Sequence, residues 1–147
     1  MYSFLLYAHS WTRWIVLFLI VVVVIQSWLG WLNQQKFTNT HRKFSLFLLI
    51  FSHLQLVMGL LLYFVYSPAV QQAFKDFKFA MKDKTLRFWA VEHISMMLIA
   101  IILIQIGYSK AKRNKNDILK HKNLAIFTTI AVVVVLLRIS WTPLFRF

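Results

Sequence analysis

The sequence predicts an all-α fold, an integral membrane four-helix bundle with a short amphipathic interfacial helix between the second and third spans. Of the 147 residues, 60% are hydrophobic, with three glycines and two prolines, and the mean hydropathy is +0.65. Such a composition is typical of integral membrane proteins. Four apolar blocks approach the ~20 residues that a helix needs to cross ~30 Å of hydrocarbon. We expect residues 1–147 to form one transmembrane domain, with spans at about 11–31, 44–66, 88–108 and 124–141.

The first block is predicted to be a membrane span that is retained in the mature protein. It has no positively charged region before it, it is too long for the apolar core of a signal peptide, and it lacks a small-residue cleavage site. Tryptophans stand at the block ends, as expected for amphipathic rings at membrane interfaces: Trp11, Trp14, Trp28, Trp31, Trp89 and Trp141. These positions support the count of four spans.

The connection between the second and third blocks has its own pattern. Ser67-Pro68 is expected to end the second span, because proline cannot continue a helix comfortably. Apolar residues then recur at steps of three and four, with glutamine and lysines between them: Val70, Ala73, Phe74, Phe77, Ala80 and Met81. This spacing predicts a short amphipathic helix that lies in the membrane interface and covers the mouth of the bundle.

The basic residues predict the orientation of the chain. The formal net charge is +13, but the cations lie mostly between or at the ends of apolar blocks, which favours membrane lipid headgroups over nucleic acid as partners. Connections 33–43 and 109–122 are both basic and lie on the same side when there are four spans. The positive-inside rule therefore predicts a bacterial cytoplasmic (inner) membrane protein with periplasmic N- and C-termini. The basic middle connection opposes this assignment.

Three histidines from three helices are expected in the outer half of the bundle. A rise of ~1.5 Å per residue places His9 at the outer mouth, His93 about one turn inside, and His53 near the midplane. Ionisable groups inside a membrane are functional candidates by default, and haem b fits a bundle that offers two imidazoles as ligands of the haem iron. The predicted ligands are His93 with either His9 or His53. Interhelical hydrogen bonding is the competing interpretation of each histidine.

Charged residues near the same end have two predicted roles. The haem propionates need cations at the membrane surface, and Arg13, Arg87 and Arg138 fall there. Glu92 either pairs with Arg13 or Arg138, because a carboxylate near hydrocarbon needs a compensating charge, or it transfers a proton during quinol oxidation. Its neighbour His93 points ~100° away around the helix, so the two residues are expected to face different neighbours.

The inner end carries the two remaining histidines. His41 and His121 are expected to be interfacial, with a second, inner haem site as the alternative. The chain has no cysteine, which excludes disulfides and thiolate chemistry. It also has no H-E-x-x-H zinc motif, nucleophile elbow or glycine-rich phosphate loop.

The stretches "YAHSWTRW", "FSHLQLVMGLLLYF" and "MKDKTLRFWAVEHISMMLIA" resemble a family of small four-helix membrane proteins of Bacteroidota, commonly labelled cytochrome b. The resemblance covers nearly the whole chain. It implies haem b held by histidines and electron transfer in the cytoplasmic membrane, and it carries over to His9, His53 and His93. A looser likeness to the four-helix halves of haem A synthase comes from the histidine-bearing helices and "QLVMGLL".

The leading functional hypothesis is an electron carrier or subunit, rather than a stand-alone enzyme, that exchanges electrons with the quinone pool or another respiratory-chain protein. One alternative is a cofactor-free accessory subunit of a larger membrane complex, in which the histidines bridge helices. Another is a small proton-coupled transporter that uses Glu92 and His93 in a polar pathway. Assembly as a homo-oligomer is open in each case.

Overall fold

The computed structural model describes residues 1–138, and within this part every regular element is a helix. Four of the helices are long and apolar enough to cross a membrane: Tyr2–Leu32, Asn39–Tyr66, Lys84–Arg113 and Asp117–Arg138. This confirms the prediction of an all-α chain with four helices of spanning length and composition. Residues 139–141, at the end of the fourth predicted span, lie outside the described residues.

The first helix, α1 (Tyr2–Leu32), begins nine residues before the predicted start at Trp11. Residues 2–10 contain neither proline nor glycine, so nothing in the sequence interrupts the helix there. Its 31 residues correspond to ~46 Å at ~1.5 Å per residue, which is longer than the ~30 Å hydrocarbon core. His9 consequently lies within a helix that continues for two further turns toward the N-terminus.

The connections at the basic end are shorter than predicted, because polar caps start the following helices early. The second helix, α2 (Asn39–Leu61), begins after Thr38, whose hydroxyl and backbone N–H both contact Nδ1 of His41, at 2.9 and 3.0 Å. The last helix, α7 (Asp117–Arg138), follows Asn116, whose side-chain oxygen accepts a hydrogen bond from the backbone N–H of Ile118 at 2.9 Å. Such caps satisfy backbone donors that the first helical turn leaves free.

The connection between the second and third spans forms two short helices instead of the single predicted one. These are α3 (Pro68–Lys75) and α4 (Phe77–Lys82). Asp76 breaks the helix with an extended backbone (φ −144°, ψ 84°), and its carboxylate accepts from the backbone N–H of Phe79 at 3.0 Å. The predicted end of the second span is confirmed, because Ser67 is extended and Pro68 is the first residue of α3.

The third span is built from three consecutive helical pieces. A single turn, α5 (Lys84–Arg87), leads into a π-helical turn at Phe88–Glu92, and this continues as α6 (His93–Arg113). A second π-helical turn, Leu62–Tyr66, ends the second span. The hydroxyl of Tyr63 donates to the carbonyl of Ala90 at 2.5 Å and so joins the two π-helical turns. π-helical turns leave backbone carbonyls available for such contacts and occur often at functional sites.

The four long helices pack in a ring, in which α1 contacts α2 and α7, and α6 contacts α2 and α7. The core where they meet contains aliphatic and small residues: Leu19, Ile20, Val23, Leu48, Ala100, Ile104 and Ala131. Small side chains let helix backbones approach closely, which drives helix association where lipid is the solvent. Many large apolar side chains point outward, as expected of a bundle that faces lipid.

Candidate functional site

A cavity of about 560 Å³ opens between the helices at the end of the bundle that holds the N-terminus and α3. Most of its lining is aliphatic and aromatic, and a few polar side chains converge on it: His9, Ser10, Arg13, Ser52, Gln55, Tyr63, Ser67 and His93. A mostly apolar cavity of this size with a small number of polar groups is typical of cofactor and ligand sites.

His93 is the first residue of α6 after the π-helical turn, and its imidazole lies at the cavity wall. Its Nδ1 is 3.0 Å from the backbone oxygen of Arg138. A carbonyl can only accept a hydrogen bond, so Nδ1 carries the proton and Nε2 of the neutral ring keeps its lone pair. Histidines that ligate metals show this arrangement, with one nitrogen donating to a carbonyl and the other free to bind.

The aromatic rings of the π-helical turn hold the imidazole of His93 in place. The ring centroids of Phe88 and Trp89 lie 5.7 and 5.6 Å from that of His93. Trp89 also lines the cavity. Two rings and one backbone hydrogen bond therefore fix both the position and the rotation of this side chain.

His9 of α1 faces the same cavity from the opposite side of the bundle. Its Nδ1 is buried and has no hydrogen-bond partner among the described residues, which costs about 1–3 kcal/mol for a polar group. A β-carbon added to Gly59 would lie 3.2 Å from Cε1 of His9, so the absence of a side chain at Gly59 gives the ring its space.

Gln55 of α2 orients His9 and belongs to a small polar network. Its amide nitrogen donates to the carbonyl of His9 at 2.9 Å and lies 3.5 Å from Nε2 of the His9 ring. The hydroxyl of Thr12 contacts Oε1 of Gln55 and lies 2.8 Å from the carbonyl of Ala8. The network thereby connects α1 to α2 beside the cavity.

The three arginines proposed for the propionates do not share one environment. Arg13 lines the cavity together with His9 and His93. Arg87 and Arg138 instead flank Glu92, with Nε to carboxylate oxygen distances of 2.9 and 3.6 Å. Neither of these two arginines lies in the cavity wall.

Glu92 forms these two ion pairs and is absent from the cavity lining. The structure thus places it with Arg138, one of its two predicted partners, and adds Arg87, which the sequence reasoning did not propose as a partner. Arg13, the other predicted partner, lies at the cavity. Arg87 also donates from Nη1 to the carbonyl of Met81 at 3.0 Å, which ties the ion pair to α4.

His53 lies apart from His9 and His93. Its side chain is exposed on the outside of α2, where Nδ1 is 2.8 Å from the carbonyl of Leu49 in the preceding turn. The polar residues of α2 that reach the cavity are its neighbours Ser52 and Gln55. Of the two predicted ligand pairs, the structure therefore brings together His9 and His93 on one cavity.

The two inner histidines form a separate cluster. His121 has no exposed surface, and its ring lies edge-on to that of His41 with 4.7 Å between centroids. Phe37 contacts both rings, at 5.6 Å from His41 and 5.1 Å from His121. A β-carbon on Gly30 would overlap the His121 ring. His121, predicted from the sequence to be interfacial, is thus buried between helices at this end of the bundle.

Among residues 1–138, no group of three or more histidines and carboxylates could hold a metal ion directly. Two imidazoles on one cavity are nevertheless a donor pair that can hold a haem iron. Comparison with family models, curated proteins and solved structures gives no significant match.

Proposed function

We propose that this protein binds haem b in the cavity between α1, α2 and α6, where His9 and His93 would hold the iron, and that it transfers electrons in the membrane. The observation that carries this proposal is the convergence of two histidines from different helices on one apolar cavity of about 560 Å³. The resemblance to the small Bacteroidota proteins labelled cytochrome b supports the same function.

The residues that line the cavity are chemically suited to hold haem b. The hydrogen bond from Nδ1 of His93 to Arg138 leaves Nε2 available as a ligand. Nε2 of His9 makes a long contact of 3.5 Å with the amide nitrogen of Gln55, and a bond to a ligand could replace this contact. Arg13 at the cavity wall supplies a cation for a propionate. When bound, haem b supplies reversible one-electron chemistry, with a potential tuned by its two imidazoles and the burial of the site.

The site has features that suit an electron carrier. Its wall is mostly apolar, which excludes water, and its ligands come from rigid helices, which limits reorganisation. The quinone pool or another respiratory-chain protein is the proposed exchange partner, because both meet a four-helix membrane protein within the bilayer. The pairing of Glu92 with two arginines away from the cavity favours this function over a proton-coupled transporter.

The proposed location is a bacterial inner membrane with both termini periplasmic. The first connection meets the start of α7 at one end of the bundle, where Nζ of Lys120 lies 5.4 Å from the ring of Phe37. We further propose that α3 and α4 lie in the opposite, outer interface. The exposed rings of Phe74, Phe77 and Phe79 alternate there with lysines, as in helices that rest on a membrane surface.

The decisive experiment is a visible spectrum of the purified protein from haem-replete cells. We expect a red protein whose Soret band shifts and sharpens on reduction. His9→Ala and His93→Ala should each abolish the spectrum of iron with two histidine ligands. His53→Ala is the matched control, because this histidine lies in the neighbouring helix and points away from the cavity, so it should leave the spectrum unchanged.

Two results would contradict the proposal. A colourless, fully folded wild-type protein would favour the cofactor-free accessory subunit. A spectrum that is lost in His53→Ala and retained in His9→Ala would keep the haem but reject the ligand pair.

A further inference from the structure

A second cavity, of about 260 Å³, lies at the other end of the bundle, between the start of α2, the end of α6 and the start of α7. Three cations line it, one from each helix: Arg42, Lys112 and Lys120. Tyr108 and Ser45 contribute hydroxyl groups to the same wall. This basic cavity is separate from the histidine cavity and has no part in the proposed haem function.

The three cations of the basic cavity form no ion pair among the described residues, although Asp117 lies one turn before Lys120 in α7. No carboxylate is among the residues that line this cavity. Both ion pairs found within residues 1–138 involve Glu92, which lies at the other end of the bundle, near the cavity that holds His9 and His93. Three like charges around one small space repel each other, and an anion between them would replace that repulsion with attraction.

Two contacts hold parts of this wall in place before any anion binds. Nζ of Lys120 lies over the ring of Phe37, 5.4 Å from its centroid, which restrains an otherwise flexible side chain. Ser45 is buried, and its hydroxyl lies 3.0 and 2.9 Å from the carbonyls of His41 and Arg42, so the floor of the cavity is fixed within α2. A restrained site loses less entropy when it binds its ligand.

We propose that this basic cavity binds a phosphate group. A phosphate oxyanion matches the planar guanidinium of Arg42 and takes further charge-assisted hydrogen bonds from the two lysines. The volume suits a phosphate and its first substituents, and it is smaller than sites that enclose whole drug-sized ligands. The phosphate belongs to an anionic lipid headgroup or to a soluble phosphate, and basic pockets between membrane helices are known to bind the former.

The test measures the affinity of the purified full-length chain for phosphatidylglycerol and for phosphatidylcholine by native mass spectrometry in mild detergent. The variant Arg42→Gln/Lys112→Gln/Lys120→Gln removes the three cavity charges. Each cation typically strengthens the binding of an anionic lipid headgroup by a similar factor. The loss of all three should therefore weaken phosphatidylglycerol binding about 100-fold. Binding of phosphatidylcholine, which carries no net charge, should be weaker in the wild type and less affected by the variant.

A matched control separates a defined site from a generally basic rim. The variant Lys43→Gln/Arg113→Gln/Lys115→Gln removes one arginine and two lysines from the same end of the bundle, and none of the three lines the cavity. It should weaken binding by no more than about threefold, because these three charges lie outside the cavity and act on the phosphate only through screening solvent. Equal losses in the two triple variants, or no loss in either, would overturn the proposal. Circular dichroism of both variants checks that the helices are intact.

A second arm identifies the source of the phosphate. Inorganic phosphate is titrated into the lipid-free protein by calorimetry and then used to compete with bound phosphatidylglycerol. The site is assigned to a soluble phosphate if inorganic phosphate binds the wild type and displaces phosphatidylglycerol, and if the cavity variant loses both effects. The site is assigned to a lipid headgroup if two results hold. Excess inorganic phosphate must fail to displace phosphatidylglycerol from the wild type, and the cavity variant must lose phosphatidylglycerol binding.

Discussion

His9, His53 and His93 are chemically alike in the sequence, and the direction of each side chain separates their roles. Successive residues of a helix point ~100° apart, so one position decides whether a side chain reaches the cavity or the surroundings. Ser52, Gln55, Gly59 and Tyr63 lie on the cavity side of the second span, at steps of three and four. The spacing does not exclude His53, since Leu56 and Leu60, three and seven residues after it, also line the cavity. Only the structure shows that His53 is exposed and directed at the carbonyl of Leu49.

The two ion pairs of Glu92 predict a structural role for its charge. Glu92→Gln should leave the haem spectrum unchanged, because the carboxylate does not line the cavity. It should lower the free energy of unfolding by up to about 1 kcal/mol, the upper range for pairs that are partly exposed to solvent. Thermal unfolding in detergent, followed by tryptophan fluorescence, measures the second effect. A lost spectrum with unchanged stability would instead place Glu92 in the function.

The close approach of Gly30 to His121 predicts a steric effect. A β-carbon at Gly30 would overlap the buried imidazole, so Gly30→Ala should destabilise the bundle by about 1–3 kcal/mol, the usual cost of overpacking. Removing the ring should relieve the clash, so Gly30→Ala should cost much less when His121→Ala is already present. Thermal unfolding of the two single variants and the double variant measures this coupling. Strictly additive effects would contradict the contact.

The π-helical turns at Leu62–Tyr66 and Phe88–Glu92 determine how α2 and α6 meet beside the cavity. Each lies at the same end of the bundle, and the hydrogen bond from Tyr63 to Ala90 joins them. The second turn also directly precedes His93 and thereby sets the direction in which its imidazole leaves the helix. The sequence predicts the two helices but not these turns, since both segments have the pattern of an ordinary apolar helix.

The bond between the π-helical turns predicts a measurable contribution to stability. Tyr63→Phe removes the hydroxyl and keeps the ring, and it should lower the free energy of unfolding by about 0.6 kcal/mol and at most about 1.7 kcal/mol, as for other interhelical hydrogen bonds in membranes. Tyr66→Phe is the matched control, because Tyr66 ends the same turn and makes a ring contact with Tyr2. Equal effects of the two substitutions would reject the assigned role of Tyr63.

The distribution of charge over the whole molecule favours one orientation. The first and third connections and the adjoining helix ends hold nine basic residues at one end of the bundle: Lys36, Arg42, Lys43, Lys110, Lys112, Arg113, Lys115, Lys120 and Lys122. Between the second and third spans there are five: Lys75, Lys78, Lys82, Lys84 and Arg87. The larger group is expected on the cytoplasmic side.

The absence of cysteine from the chain allows this orientation to be tested with single-cysteine variants. In intact spheroplasts, a membrane-impermeant maleimide should label Lys78→Cys strongly and leave Lys115→Cys unlabelled. Permeabilisation should make both positions reactive, which confirms that each is accessible. Labelling of Lys115→Cys alone before permeabilisation would invert the proposed topology.

The helices were largely predictable because hydropathy integrates over many residues. Each of the four blocks is apolar enough that its helical state does not depend on any single contact. The helix ends were less predictable, since they depend on local caps such as Asn116 and Asp76. The single amphipathic helix predicted for 70–81 is two helices for this reason: the carboxylate of Asp76 stabilises a new helix start.

The sequence by itself determined the all-α class, four helices of spanning length, the basic ends and the set of residues that can ligate iron, because composition and hydropathy do not depend on how helices are rotated. Only the tertiary structure decided that His9 and His93 share a cavity, that Arg87 and Arg138 hold Glu92, and that His121 is buried against Gly30. These facts depend on the rotation of each helix about its axis. That rotation is set by packing of small and polar side chains between helices.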